Sequence, residues 1–198
     1  MSFTDDYLEE TAWIIHAISQ SGIDSLANRL AEIRGGAGRV FFLGVGGSAA
    51  TASHAVNDFR KICGIECYAP TDNVAELTAR CNDDGWPTVF ISWLKGCKLN
   101  DHDAIFIFSV GGGNAEKAIS ANLVEAIDFA RIRGASILGV VGRDGGYTAK
   151  YADACVVIPT ANQDTITPHT EEMHGVILHL LASHPVLKTG QTKWESTK

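Results

Sequence analysis

The chain has 198 residues, 45% hydrophobic and 20% charged, enough for one well-packed domain and short for two. A formal charge of −7 is the wrong sign for a nucleic-acid surface, which needs basic residues clustered on one face. Met1-Ser2-Phe3-Thr4-Asp5-Asp6 lacks the basic and apolar regions of a signal peptide, and no apolar run approaches the roughly 20 residues of a membrane helix. The expectation is a cytoplasmic protein with neither nucleic acid nor membrane as partner.

Between 7 and 33 the apolar positions Leu8, Ala12, Ile15 and Ile18, then Ile23, Leu26, Leu30 and Ile33, recur at helical spacing. Ser21-Gly22 divides them into two helices. Such a pair either packs on a neighbouring subunit or covers its own sheet. Strands and helices then alternate. A strand at 40–43 leads to a helix at 48–63, and a short strand at 65–68 to an irregular helical stretch at 74–94. A strand at 104–108 precedes a helix at 123–133. A strand at 136–141 precedes a helix at 147–151, and a strand at 154–158 ends at Pro159 before a long helix at 168–183. Short apolar runs alternating with helices predict a mostly parallel sheet covered on both faces, with ligands at the carboxyl ends of its strands. The five cysteines (63, 67, 81, 97 and 155) form no Cys-x-x-Cys and read as reduced thiols.

Three of the predicted strands end in glycine-rich turns, at 44–48, 111–113 and 142–146. The first, Gly44-Val45-Gly46-Gly47-Ser48, opens a helix. Its N–H groups and partial positive charge make an anion receptacle, most often for phosphate. The spacing fits neither the P-loop nor Gly-x-Gly-x-x-Gly, which favours a small phosphorylated metabolite over a nucleotide. Further along that helix, His54 and Asp58 stand at i and i+4 on one face. The 142–146 turn is either a sugar-facing loop or an ordinary strand-to-helix turn in which Asp144 caps the helix.

The ordered set Gly46-Gly47-Ser48-Ala49-Ala50 with His54, Asn82-Asp83-x-Gly85, Gly142-Arg143-Asp144-Gly145-Gly146 and Glu171-Glu172-Met173-His174 with His179 resembles the sugar isomerase (SIS) domain family. Within it the resemblance is to the phosphoheptose isomerase branch, over nearly the whole chain. It implies an α/β fold, a doubly wound five-stranded parallel sheet of flavodoxin-like type. It also implies one domain over 1–198, with an N-terminal helical oligomerisation segment at 1–36 and an α/β core at 37–198, assembled as a homotetramer with sites between subunits. The implied reaction is the aldose–ketose isomerisation of a phosphorylated sugar, sedoheptulose 7-phosphate to D-glycero-D-manno-heptose 7-phosphate. That step feeds heptose into lipopolysaccharide or capsule, often with zinc near the substrate.

By the same resemblance, Val45, Gly46, Gly47 and Ser48 form the substrate-binding turn, and Asn82 and Asp83 contact sugar hydroxyls. Ser109, Val110, Gly111 and Asn114 occupy the phosphate loop. His54 matches a metal ligand, and His179 matches the acid/base histidine. Asp58 falls where the family has a glutamate serving as base and ligand, and Glu171 where it has a glutamine. The zinc set is then His54, Asp58, Glu171 and His179. Asp58 is one methylene shorter than its counterpart, and Glu171 adds a charge that either strengthens metal binding or supplies the base. The 109–114 loop, Ser-Val-Gly-Gly-Gly-Asn, lacks at least two of the family's hydroxyl donors, and extra residues follow at 115–122. Backbone amides of a glycine nest can replace those donors, but the loop leaves a different phosphosugar open.

An enediol mechanism needs a base (Asp58 or Glu171), an acid (His179) and an anchor for the phosphate, placed here at Gly46–Ser48. Glu171 and His179 lie roughly 12 Å apart along one helix. One ion takes both only if Glu171 precedes the helix or comes from another subunit. His169 and His174 read as structural residues or as supports behind the site, His16, His102 and His184 as surface residues, and Trp86 and Trp93 as packing. The rival of another class is a non-catalytic phosphosugar-sensing or tethering module, against which the acid–base set speaks.

Overall fold

Apolar runs without polar alternation demand burial on both faces of a sheet. The computed structural model, which describes residues 2–197, provides it. Strands β1 (Val40–Leu43), β2 (Cys67–Tyr68), β3 (Ala104–Ser109), β4 (Ser136–Val141) and β5 (Ala154–Val157) form one all-parallel sheet in the order β2-β1-β3-β4-β5. The helices are α1 (Phe3–Ala17), α2 (Gln20–Gly35), α3 (Gly47–Cys63), α4 (Val74–Asp84), α5 (Val89–Gly96), α6 (Ala121–Arg133), α7 (Gly146–Tyr151), α8 (Ile166–Ser183) and α9 (Lys193–Ser196). Met1 and Lys198, the ends of the expected 1–198 domain, lie outside the described residues.

Alternate strand residues feed two cores. Val40, Phe42, Phe106, Phe108, Leu138 and Val140 face α2, α3 and α8, whereas Phe41, Leu43, Ile105, Ile107 and Ile137 face α5 and α6. The strand order reverses between β1 and β3, so the helices after these two strands leave on opposite faces and a crevice opens between their turns. Among the described residues no helix is long and apolar enough to cross a membrane. The five cysteines are unpaired. Burial pushes the Cys63 thiol up to about 11 and the Cys67 thiol to about 12, so neither is a reactive thiolate.

The sequence reading needs correction at several boundaries. The first two helices separate at Ile18-Ser19 and not at Gly22, because the Ser19 hydroxyl caps α2 by accepting from the Gly22 N–H at 3.1 Å. The stretch at 74–94 resolves into α4 and α5, divided by Gly85 (φ 81°) and a 3₁₀ turn at Trp86–Thr88. Helix α8 begins before Pro168, which sits in its first turn where no N–H partner is required. Of the N-terminal pair, α2 covers its own sheet with Ile23, Leu26, Leu30 and Ile33 buried. Helix α1 buries Ile14 alone and leaves Leu8, Trp13 and Ile15 exposed (62, 51 and 47%).

The turns after β3 and β4 interlock. Tyr147 and Thr148 donate backbone N–H bonds to the carbonyls of Gly113 (2.8 Å) and Gly112 (2.9 Å), and a Cβ on Gly146 (φ 52°) would collide with the Gly111 and Gly113 carbonyls. Gly146→Ala should therefore lower the unfolding free energy by ~2 kcal/mol, because backbone has to move. Gly35→Ala, at a helix end with open space around it, should raise it by about 0.5 kcal/mol. Urea denaturation of both variants against the parent chain checks the pair.

Candidate active site

The crevice at the switch point is a cavity of about 460 Å³, within the range of small-molecule sites. Val45 and Ser48 from the β1 turn line one wall, Ser109 to Gly111, Gly113 and Asn114 from the β3 turn another, and Arg143, Asp144 and Gly146 from the β4 turn a third. Lys117, Ile119 and Ser120, from the residues inserted before α6, complete it with Glu171 of α8. All three glycine turns of the sequence thus meet at one place. Asp144 lines the cavity and accepts from the Gly146 N–H at 3.2 Å, while the N-cap of α7 is Gly145, with no side chain capping the helix.

Glycine at 47 leaves room for a side chain of α8. A Cβ there would lie 2.5 Å from a Glu171 carboxylate oxygen. The Glu171 carboxylate therefore rests against the first turn of α3, where the unpaired N–H groups and helix dipole favour an anion. A phosphate at Gly46–Ser48 would share that helix end with the Glu171 carboxylate.

Helices α3 and α8 run side by side in the same direction, with Gly47 beside Glu171 at one end and His54 beside His179 further on. His54 and His179 bring their rings to 5.0 Å between centroids. Between them, Asp58 Oδ2 lies 3.3 Å from His54 Nε2 and 3.7 Å from His179 Nε2. Asp58 Oδ1 accepts from the Asn57 side-chain amide at 2.9 Å. Asp58 is nearly buried and the two imidazoles are half exposed. One donor atom from each of His54, Asp58 and His179 lies within 4.8 Å of the others. Two imidazoles and a carboxylate at this separation are a ligand set suited to zinc.

Glu171 falls outside that trio. It lies within α8, eight residues before His179, so two helical turns separate them in one chain. Asn82 and Asp83 do not reach the cavity either. Both lie on α4, which has no buried residue, and the Asn82 amide donates to the Asp83 carboxylate at 2.9 Å. The Ser109 hydroxyl accepts from the Gly112 N–H at 3.0 Å, and the Asn114 carbonyl from the Lys117 N–H at 2.8 Å. Sequence reasoning missed Lys117 and Arg143, because a basic residue in a polar loop looks like an ordinary solvated charge.

No protein-family model matches the chain. Over 156 residues it is 34% identical to the phosphoheptose isomerase of Rhodospirillum rubrum, a span covering 76% of this chain and 77% of that protein. The chain belongs to the phosphoheptose isomerase family. It is also 33% identical over 150 residues to the lincomycin biosynthesis protein LmbN of Streptomyces lincolnensis, covering 73% of this chain but spanning only about half (54%) of that protein. The solved phosphoheptose isomerase of Neisseria gonorrhoeae shares the fold with a TM-score of 0.79 at 24% identity, covering 90% of this chain and 95% of that one. Membership in this family makes the chain an enzyme of the aldose–ketose isomerase kind.

The remaining histidines of α8 hold the helix in place. His169 is buried, with Nε2 2.9 Å from Glu10 Oε2 of α1. Glu10 also accepts from Asn162 and Thr165, each at 2.8 Å, and this latch fixes the start of the helix that carries Glu171. His174 is fully buried against Phe108, and neither ring nitrogen has a hydrogen-bond partner. Burial pushes its pKa down from 6.5 to about 4, and the Val140 backbone, at a geometry short of a hydrogen bond, offsets this only in part. The unfolded chain therefore binds the extra proton first as pH falls, and stability declines from pH 6.5 to about 4. The loss attributable to this residue should be ~3 kcal/mol. Chemical denaturation across that window should show a shallower decline for His174→Leu than for the parent.

Proposed function

We propose that the chain converts sedoheptulose 7-phosphate to D-glycero-D-manno-heptose 7-phosphate through an enediol, with Asp58 as base and His179 as acid. The observation behind this reading is the pairing of α3 with α8, which carry Ser48 and Glu171 at the cavity and, further along, a carboxylate–imidazole pair 3.7 Å apart. Seven residues of α3 separate Gly47 from His54, and eight of α8 separate Glu171 from His179, a span of roughly 10–12 Å. A seven-carbon sugar phosphate extended to roughly 10 Å at ordinary bond lengths would cover most of that span, with its phosphate inside the cavity and its first two carbons towards Asp58.

In this arrangement Asp58 removes the proton from one carbon and returns it to the neighbour, while His179 moves the proton at the adjoining oxygen. Glu171, in the cavity wall, accepts from sugar hydroxyls and fixes their orientation. His54, Asp58 and His179 would hold zinc, which when bound polarises a sugar carbonyl as a Lewis acid. Remote binding of the phosphate is then used to orient the reacting end. The glycines at 111–113, where the family carries hydroxyls, favour a second reading, the same reaction on another phosphosugar.

We further assign residues 1–198 to one cytoplasmic catalytic domain whose first 36 residues drive assembly into a homotetramer with sites between subunits. The exposed Leu8, Trp13 and Ile15 of α1, and Val176 and Leu180 flanking His179 on α8, support this. They are large apolar side chains without cover in one chain. Leu8→Arg combined with Ile15→Arg should reduce the mass measured by light scattering to a smaller species.

Proton NMR with sedoheptulose 7-phosphate in D₂O, with and without zinc, tests the chemistry. Deuterium should enter beside the carbonyl as aldose appears, faster with zinc. Asp58→Asn should lower kcat by about 10²–10⁴-fold with KM little changed. Glu171→Gln, which installs the residue expected from the family, should act mainly on KM. The reverse pattern would move the base to Glu171. No exchange, with ligand still protecting the protein against heat, would favour the other phosphosugar. Neither exchange nor protection would point to a non-catalytic module.

A further inference from the structure

Among the described residues one arginine has no structural engagement. Arg39 is clamped by Asp103 at 2.7 Å, Arg34 and Arg133 donate to backbone carbonyls, and Arg60 lies over the Tyr68 ring at 4.6 Å. The rest pair with carboxylates. Arg143 makes neither a hydrogen bond nor an ion pair among these residues, is exposed, and forms part of the cavity wall. Lys117 has the same three properties.

The backbone that carries these two cations is specifically shaped. Asn114 and Ile119 exchange backbone hydrogen bonds of 2.9 and 3.1 Å, closing 114–119 into a small hairpin, and the Asn114 side chain holds the Lys117 N–H. Ala118 (φ 51°), Ser120 (φ 49°) and Arg143 (φ 53°) are left-handed. Side-chain-bearing residues adopt that conformation at a cost, and such residues cluster where function requires them. Two of the five non-glycine residues with positive φ in the described chain, Ser120 and Arg143, line this cavity, and Ala118 lies between two residues that do.

We propose that Lys117 and Arg143 form the phosphate clamp of this enzyme, a role that rests on the phosphosugar reading above. The inserted hairpin supplies a charge where the 109–114 loop lacks hydroxyls. A phosphomonoester carries about −1.5 to −2 charges at neutral pH, which the pair matches. Arginine offers a fork for two oxygens and lysine a mobile point charge. Across the cavity the Glu171 carboxylate at Gly47 repels a second anion. The two walls therefore fix which end of the substrate enters which side. Asp144, the other carboxylate here, has one oxygen engaged by the Gly146 N–H. In a chain of net charge −7, such a local cation pair adds attraction for a dianion to that of the backbone amides.

The test uses inorganic phosphate as the probe, followed by calorimetry and thermal shift, together with turnover of sedoheptulose 7-phosphate. Lys117→Gln and Arg143→Gln should each weaken phosphate binding and raise KM about tenfold. In both, the melting temperature without phosphate should stay close to the parent value, and kcat should fall less than kcat/KM. Lys117→Arg should recover most of the affinity. The proposal is overturned if the parent protein does not bind millimolar phosphate, or if both glutamine variants bind it as the parent does. Phosphate binding lost in the variants, with no hydrogen exchange in the parent, would uphold the clamp and remove the isomerase reading. Exchange with unchanged KM in the variants would do the opposite.

Discussion

A side chain larger than hydrogen at Gly112 or Gly146 would push apart the turns that wall the cavity, and one at Gly47 would displace the Glu171 carboxylate. Everything at the carboxyl edge of the sheet depends on backbone approaching that closely. At Gly47 the approach admits the Glu171 carboxylate to the first turn of α3. At Gly112 and Gly146 it locks the turns after β3 and β4 together through Thr148, whose N–H and hydroxyl both donate to the Gly112 carbonyl. The glycines are therefore contact surfaces between elements as well as turn formers.

The sheet order explains why these contacts fall where they do. Because β1 and β3 are neighbours whose following helices leave on opposite faces, their turns separate and leave a crevice. Helices α3 and α8 then share one face of the sheet. Their parallel course carries the line of polar groups away from the crevice, from Glu171 to His179 and from Gly47 to His54. A ligand with an anionic end and a reactive end several carbons away fits that line. The Glu10–His169 latch at the head of α8 joins α1 to this arrangement, so the N-terminal helix is coupled to the site even within one chain.

Charge is distributed to match. The surface is acidic overall, most arginines are neutralised by carboxylates or carbonyls, and the cavity keeps one arginine and one lysine without such partners among the described residues. A carboxylate on the opposite wall gives the crevice a polarity that a neutral glycine nest alone would lack.

What the sequence by itself determined was local: strands from short apolar runs, helices from 3.6-residue spacing, glycine turns at strand ends, and the His54–Asp58 pair, whose i,i+4 spacing survives in any straight helix. The parallel sheet followed because alternating elements of this length have few other ways to cover two apolar faces. Tertiary structure alone decided which distant residues meet. His179 reaches Asp58 only because α8 packs parallel to α3 in a particular register. Asn82 and Asp83 stay away from the cavity because α4 lies outside the core. Lys117 and Arg143, separated by 26 positions, line one cavity because β3 and β4 pair and present their turns on the same edge. Such convergence is set by packing between elements, which side-chain spacing within any one of them does not encode.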